Sequence, residues 1–566
     1  MSKIVARRVF LTPLRIGGKL CPSWGEESTC LTGGFPWLAL GLMRLNLGCG
    51  YNKLEGFVNV DREEVCAPDI IWDLEKYPWP WQENSVEEIV FDNSLQQLGQ
   101  DPRAYIRLWQ EIYRVAKDGC VVRVSAPHWR SDAFLNDPLN VRSVTPEGLA
   151  MFDNVRNLRD EASGGRETKL GIFAGIDLDC EPSSVQYRFV PEVAEALRGG
   201  QIPYERVRAL LEHEGNVAES FVLEMKMVKP ARAALFANGK GLEKPKRTQA
   251  HVLFVTEEPV GFIFDYNFWG SLEAAGVATY SRFHLDTFRT RQGYSGDLEL
   301  IKHCLREKPD MIILQCHSLD GYSGPTKGAL QTIKKYLKIP IVSVWSDSET
   351  HYFGISDEIA EFAALTVVWD SSDAYKKDSK VSERYAALWT PYDTRVFGDM
   401  GLPRDIDVCF AGTIEGAHPE REEMIKALRD AGINVVTLGS NKDVLKKVSI
   451  QEYASVLQRS KISLNFSKTT TGLVQLKGRV FETMFCGALL MEQEGSETPR
   501  FFKEGEEYVQ FKDKEDLISK VKQYLADSTE RERIAKNGQR VALEKYSPKK
   551  YWLEIFRRVL ERMHGF

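Results

Sequence analysis

The chain has 566 residues, of which 43% are hydrophobic and 27% charged, with a formal net charge of −6. At roughly 150 residues per domain that length holds about three or four structural units, and the apolar fraction excludes disordered, collagen-like and disulfide-scaffold classes. The mildly acidic balance argues against a protein whose main task is gripping nucleic acid. The ten cysteines (21, 30, 49, 66, 120, 180, 304, 316, 409 and 486) lack zinc-site or small-scaffold spacings and read as reduced thiols of a cytoplasmic enzyme.

No run approaches the roughly 18 consecutive apolar residues that span a bilayer; residues 35–43 are too short. Residues 1–42 carry Arg7, Arg8 and Arg15 with no acid before Glu26, which faintly resembles a transit peptide. They show no sustained periodicity, and Met43 stands directly before the first clear strand, so a disordered leader is expected. A first αβ block then covers 43–228, with strands expected at 45–47, 57–60, 70–72, 86–91 and 121–124 and a helix at 104–115. That alternation predicts a mostly parallel sheet with crossovers. Residues 229–250 hold six basic residues against Glu243, with two prolines and two glycines, and read as an exposed linker. The second block repeats the pattern, with strands at 251–255, 311–314, 341–344, 365–369 and 386–389 and then at 407–411, 434–438, 462–466 and 488–492. The break at 390–404 reads as a hinge, giving lobes at 251–392 and 393–566, the latter with C-terminal helices.

Within the first block, Leu45-Asn46-Leu47-Gly48-Cys49-Gly50 is a strand running into a glycine turn. Ligands of open αβ sheets sit at such strand ends. The second strand ends in Asp61, suited to two ribose hydroxyls, and the third runs into Trp72-Asp73-Leu74, which suits an adenine. Only about six residues separate Gly50 from the next apolar run, too few for a helix between parallel strands. Without a helix N-terminus for a pyrophosphate, NAD is disfavoured and a ligand without phosphates is expected.

On these residues, with 78–90 and the pattern Asn136-Asp137-Pro138 to Leu149, the block resembles class I S-adenosylmethionine-dependent methyltransferases over 43–228. The resemblance implies that Gly48, Gly50, Asp61 and Asp73 line the S-adenosylmethionine site. Two departures remove imidazoles that the family commonly carries: Gln96-Gln97 replace Glu-His, and Asn140 stands where a histidine is common. His128, beside Trp129, remains as the candidate base, although a lone histidine there more often serves packing.

In the second block, two similar lobes on a hinge make a cleft suited to a nucleotide-sugar. Phe410-Ala411-Gly412-Thr413 is a strand followed by a small-residue turn, with Arg421 on the next helix, a setting for a diphosphate. Lys477-Gly478-Arg479-Val480-Phe481-Glu482 adds two positive charges and a carboxylate one turn on. Taken alone, Arg479 and Glu482 read as a surface i,i+3 pair. With Cys486-Gly487-Ala488, 502–506 and the helix expected at 515–525, however, the stretch resembles the C-terminal lobe of GT-B glycosyltransferases, particularly CgeB-type and group-one transferases. The resemblance covers 249–560, more loosely in its first half. It implies a nucleoside-diphosphate-sugar donor, with Arg479 or Lys477 on the phosphates and Glu482 on the ribose. It implies no metal. Val474 stands where many retaining relatives place a second glutamate, which leaves the donor-sugar contact open. In the other lobe, Asp347 and His351 in Trp345–His351, or His317 after another strand, are the candidate acceptor bases. The aromatic segment 261–270 is expected in the core.

The fold expectation is therefore α/β throughout: a Rossmann-like methyltransferase domain followed by a two-lobed GT-B domain. The functional expectation is a bifunctional transferase that adds a sugar and a methyl group to one glycan or glycoprotein acceptor. Nucleic acid is not an expected partner, and any membrane association is peripheral, through the acceptor. A glycosyltransferase with a degenerate cofactor-binding or docking domain is the first alternative. A non-catalytic glycan-binding scaffold is the second.

Overall fold

The computed structural model describes residues 43–180, 185–237, 239, 241–257, 263–285, 287, 296–321, 323–345, 353–369, 379–412, 414, 419–438, 449–468 and 474–564. The expected leader and the candidates Asp347, His351 and Thr413 lie outside them. Among the described residues no helix is long and apolar enough to cross a membrane.

Three sheets organise the described residues. The first holds β1 (Met43–Leu47), β2 (Val58–Asp61), β3 (Ile70–Ile71), β4 (Val86–Asp92), β5 (Ala116–Pro127), β6 (Leu178–Cys180), β7 (Gln186–Phe189) and β8 (Ala218–Met227). Its order is β3-β2-β1-β4-β5-β8-β6, with β7 paired to β8. β1 to β5 are mutually parallel, whereas β8 runs antiparallel to β5. Residues 51–57, between parallel β1 and β2, form turns and no helix, as the short spacing predicts. Helix Pro102–Val115 follows elementary rules: Asp101 caps Arg103 and Ala104, proline occupies the first turn, and Leu108, Trp109, Ile112 and Val115 make the buried face. Sequence patterning missed β6, β7 and β8, although in β8 the inward residues Leu223, Met225 and Met227 alternate with exposed ones.

The second block contains two parallel sheets, as predicted. One holds β9 (Ala250–Thr256), β10 (Ala278–His284), β11 (Met311–Gln315), β12 (Ile341–Trp345), β13 (Leu365–Val368) and β14 (Tyr385–Ala387) in the order β10-β9-β11-β12-β13-β14. The other holds β15 (Ile406–Ala411), β16 (Val435–Leu438), β17 (Ser460–Asn465), β18 (Leu489–Gln493) and β19 (Val509–Phe511) in the order β16-β15-β17-β18-β19. Of these, β10 and β19 are additions to the expected strands. Phe268 and Trp269 of the aromatic segment are buried, with the Phe268 ring 5.6 Å from Phe254. Helix Pro548–His564 packs back on the first lobe: Tyr551, Trp552, Ile555 and Val559 join its core, and Trp552 Nε1 donates to Ser271 Oγ at 3.0 Å. A C-terminal helix expected with the second lobe thus completes the first, because its apolar face matches that core.

Of the connector, residues 243–249 are exposed, whereas its earlier part packs against both neighbouring blocks. Phe236 and Leu242 are buried in the first lobe's core, beside Val155 and Leu158 of helix Asn154–Ala162 from the first block. Arg232 is 8% exposed. It donates to both oxygens of Asp177, at 2.7 and 2.8 Å, and to Asp153 Oδ1 at 2.9 Å. Lys302, from helix Asp297–Glu307 of the first lobe, pairs with Asp179, with Asp153 at 3.5 Å and with Glu299 at 3.3 Å. Within the connector, Arg232 thus neutralises buried carboxylates, whereas Lys244, Lys246 and Arg247 are exposed.

Candidate functional site

The second lobe's sheet grows from β15 towards β16 on one side and β17 on the other, so its topological switch point lies between β15 and β17. Ligands of such sheets bind outside the strand ends there. Gly412 follows β15 with φ +150, a conformation L side chains rarely adopt, and a Cβ there would stand 3.1 Å from Arg479 Nη2. The Arg479 guanidinium lies 5.0 Å over the Phe410 ring, and its Nη1 is buried without a hydrogen-bond partner. Arg421, on helix Pro419–Asp430, is 6% exposed and donates to the Lys468 carbonyl at 2.8 Å. Burial and the neighbouring Arg479 charge push its pKa down to about 10. Two guanidinium groups in one partly desolvated place, one with an unmet donor, make a site for an anion. Lys477 Nζ is held by the Gln475 side chain.

Glu482 corrects the surface-pair reading. On helix Arg479–Cys486 it faces inward, is buried, and accepts hydrogen bonds from Tyr453 and Tyr392. Burial raises its pKa, and the tyrosine hydroxyls and Arg479 only partly oppose that rise. A ribose at Glu482 would have to share or displace those tyrosines. Gly478 precedes the helix where any side chain is excluded, because a Cβ would lie 2.0 Å from the Tyr392 hydroxyl. Sequence reasoning missed Tyr392 and Tyr453, which no local motif marks. It also missed the role of Glu492, fully buried on β18, which accepts from Asn465 Nδ2 at 2.6 Å and Ser496 Oγ at 2.8 Å. Val474 is half-buried and bridges to Lys468.

In the first block the switch point lies between β1 and β4, and the predicted glycine turn stands there. Gly48 and Gly50 have φ of +67 and +49. A Cβ on Gly48 would meet Ser94 Cβ at 2.6 Å, whereas the space beside Gly50 is open. The Gly50 N–H donates to Asp61 Oδ2 at 2.7 Å and the Glu63 N–H to Asp61 Oδ1 at 2.9 Å. Each carboxylate oxygen keeps a lone pair for another donor. Asp73 Oδ1 accepts the Glu75 N–H at 3.0 Å and is half-buried. Gln96 is buried, its Nε2 on the Asn93 carbonyl at 2.8 Å, while Asn140 Nδ2 donates to the Phe134 carbonyl at 2.9 Å. His128 is fully buried after β5 and stacks on Trp129 with ring centroids 3.9 Å apart. Burial, aided by Arg130, pushes its pKa down to about 4, so the ring is neutral near pH 7.

In the first lobe, His317 follows β11 and its side chain is 47% exposed. Its ring sits edge-on to Trp345 at 5.8 Å. Among the described residues no group of three or more His, Cys, Asp or Glu side chains is placed to hold a metal ion.

Residues 420–557 match a family model described as "Glycosyl transferase-like". No curated protein matches the chain significantly. Similar solved structures include Alr3699/HepE of Anabaena in complex with UDP-glucose, at 12% identity over 56% of this chain and 100% of that one, TM-score 0.39. Sucrose-phosphate synthase of Thermosynechococcus elongatus is 9% identical over 55% of this chain and 99% of its own, TM-score 0.38. The pneumococcal O-GlcNAc transferase GtfA in complex with UDP and GlcNAc is 11% identical over 45% and 57%, TM-score 0.33.

Proposed function

We propose that the second block transfers a glycosyl group from a nucleoside-diphosphate sugar to a hydroxyl of a glycan or glycoprotein. The observation that carries this reading is the pairing of Arg421 with Arg479, whose Nη1 is buried and unpartnered, beside Gly412 at a sheet switch point. That segment lies within or next to the residues matching a glycosyl transferase-like model. Cleaving a sugar–diphosphate bond adds a negative charge to a diphosphate that already carries two. Preorganised guanidinium and amide donors stabilise that charge as it develops. A thermal-shift screen of nucleoside diphosphates and their sugars tests the reading, because a ligand of the native state alone raises apparent stability. The expected result is a raised Tm with at least one nucleoside diphosphate and sugar transfer from the matching donor. A screen in which none shifts the transition rejects it, and binding without transfer favours the glycan-binding scaffold.

A second reading concerns the first block: S-adenosylmethionine at the β1–β4 switch point, with methyl transfer to the same acceptor. It is supported by the open face at Gly50 and by Asp61, whose oxygens retain acceptor capacity. Against methyl transfer by general base stand Gln96, Gln97 and Asn140 and the buried, neutral His128, so the acceptor would have to be intrinsically nucleophilic and merely oriented. Calorimetry with S-adenosylmethionine followed by a methyl-transfer assay separates three outcomes: an active methyltransferase, a cofactor-binding module without transfer, and a docking module that binds no cofactor.

A further inference from the structure

Arg421 and Arg479 are like charges in one partly desolvated place, and an anion site needs them held without being cancelled. Arg421 donates to the Lys468 carbonyl at 2.8 Å, an acceptor that brings no net charge. Two acids, Glu482 and Glu492, act on Arg479 through space, yet both commit their oxygens to neutral donors. Glu482 accepts from the Tyr453 and Tyr392 hydroxyls, and Glu492 from Asn465 Nδ2 and Ser496 Oγ. Burial raises the pKa of both acids, which weakens them further as counter-charges. Phe410 supplies the support instead: the Arg479 guanidinium carbon lies over its ring, 5.0 Å from the centroid. An aromatic face is partially negative and attracts a cation most strongly where water is excluded. The ring is itself fixed by the two strands of the switch point. Phe410 is fully buried on β15, and Phe466, next after β17, meets it edge-on at 5.2 Å. Gly412 closes the arrangement, since a Cβ there would stand 3.1 Å from both Phe410 Cζ and Arg479 Nη2. The ring takes one face of the guanidinium plane and makes no claim on its N–H groups, and Nη1 is left without a hydrogen-bond partner.

We infer that Phe410 is a positioning residue of the diphosphate site: its ring holds the Arg479 guanidinium in place without neutralising it, so that the charge and the unpartnered Nη1 remain available to a diphosphate. This inference rests on the glycosyl-transfer reading above. A carboxylate in the ring's place would hold the guanidinium more strongly. It would also occupy the same N–H groups and cancel the charge that the departing diphosphate needs. In sequence Phe410 reads only as a strand residue before a small-residue turn, and nothing local links it to Arg479.

The test is calorimetry on the full chain with UDP, GDP, ADP and dTDP, each beside its own nucleoside. Phe410 is replaced site-specifically by mono-, di- and pentafluoro-phenylalanine, which keep the ring's shape and apolar character while draining its π face, and separately by leucine in Phe410→Leu. The expected result is a stepwise fall in affinity for the bound nucleoside diphosphate along the fluorinated series. The size expected of a desolvated cation–π contact is about 3- to 30-fold by the last member. The nucleoside, which brings no phosphate to Arg479, should bind as before, and the unliganded Tm of the fluorinated proteins should stay near that of the unsubstituted chain. Phe410→Leu should show the same loss together with a lower Tm, because it also opens the core. A ring that serves packing alone gives the opposite pattern: Tm falls in Phe410→Leu while diphosphate affinity is level across the fluorinated series. That pattern, or an equal fall for nucleoside and nucleoside diphosphate, overturns the inference and leaves the donor reading standing. Absence of binding by all four diphosphates in the unsubstituted chain removes the donor reading, and this inference with it.

Discussion

Glu482 and Arg479 are separated by less than one helical turn, yet the fold gives them opposite tasks. Arg479 turns its guanidinium over Phe410 towards Gly412 and keeps one buried nitrogen unpartnered. Glu482 turns inward to two tyrosine hydroxyls. Arg479→Ala is therefore expected to abolish the nucleoside-diphosphate shift in Tm and lower transfer by about 100-fold or more, with little change in the unliganded Tm. Gly478→Ala acts differently. Its Cβ would collide with the Tyr392 hydroxyl, and overpacking of this kind costs about 1–3 kcal/mol. Denaturant unfolding should show that loss, and adding Tyr392→Phe should recover part of it by removing the clashing oxygen.

His128 makes the pH prediction. In the fold its pKa lies at about 4, below the ordinary 6.5, so between those values the unfolded chain binds a proton that the native chain refuses. Stability from this group is complete above about pH 6.5 and falls as pH drops towards about 4, by up to about 3 kcal/mol. Tm measured from pH 7 to pH 4 should decline, and His128→Gln should flatten the decline. An unchanged slope in the variant would assign the acid sensitivity to other groups.

At the scale of elements, the parallel strands of each described sheet reverse their direction of growth beside the first strand, and each such place carries candidate residues: Gly48–Gly50 with Asp61, Glu257 with His317, and Gly412 with Arg421 and Arg479. Parallel strands present their C-terminal ends together, and at a switch point the connecting segments diverge and leave a crevice. The connector and helix Asn154–Ala162 join the first block to the first lobe through Arg232 and Lys302. Lys302→Met leaves Asp153 and Asp179 short of their counter-charge, and breaking a buried pair costs about 3–5 kcal/mol. Lower denaturant resistance and new protease cleavage within 229–250 are expected. Wild-type resistance in this variant would show that Arg232 and apolar packing suffice. Removal of helix Pro548–His564 should unfold the first lobe, because Tyr551, Trp552 and Ile555 leave its core; circular dichroism and loss of soluble protein would report it.

At the scale of the whole molecule, the three-sheet α/β plan, the strands that are apolar throughout and the two glycine turns were legible from residues alone. Local rules place them: period and length for strands, capping and proline for helix starts, glycine where the chain turns sharply. The short β1–β2 connection was equally legible, since spacing alone limits what fits between parallel strands. Composition did not show that Arg232 is buried, because an arginine in a basic segment looks solvated until the carboxylates that neutralise it arrive from elsewhere in the chain. Asp153, Asp177 and Lys302 come from distant stretches, as do Tyr392 and Tyr453 around Glu482 and Glu257 beside His317. Periodicity reports which face of an element is apolar; it does not report which face of another element will meet it. Tertiary structure alone decided that Glu482 is buried, that Arg479 turns over Phe410 towards Gly412 and that the last helix closes the first lobe. Those outcomes depend on desolvation and charge pairing between segments that only folding brings together.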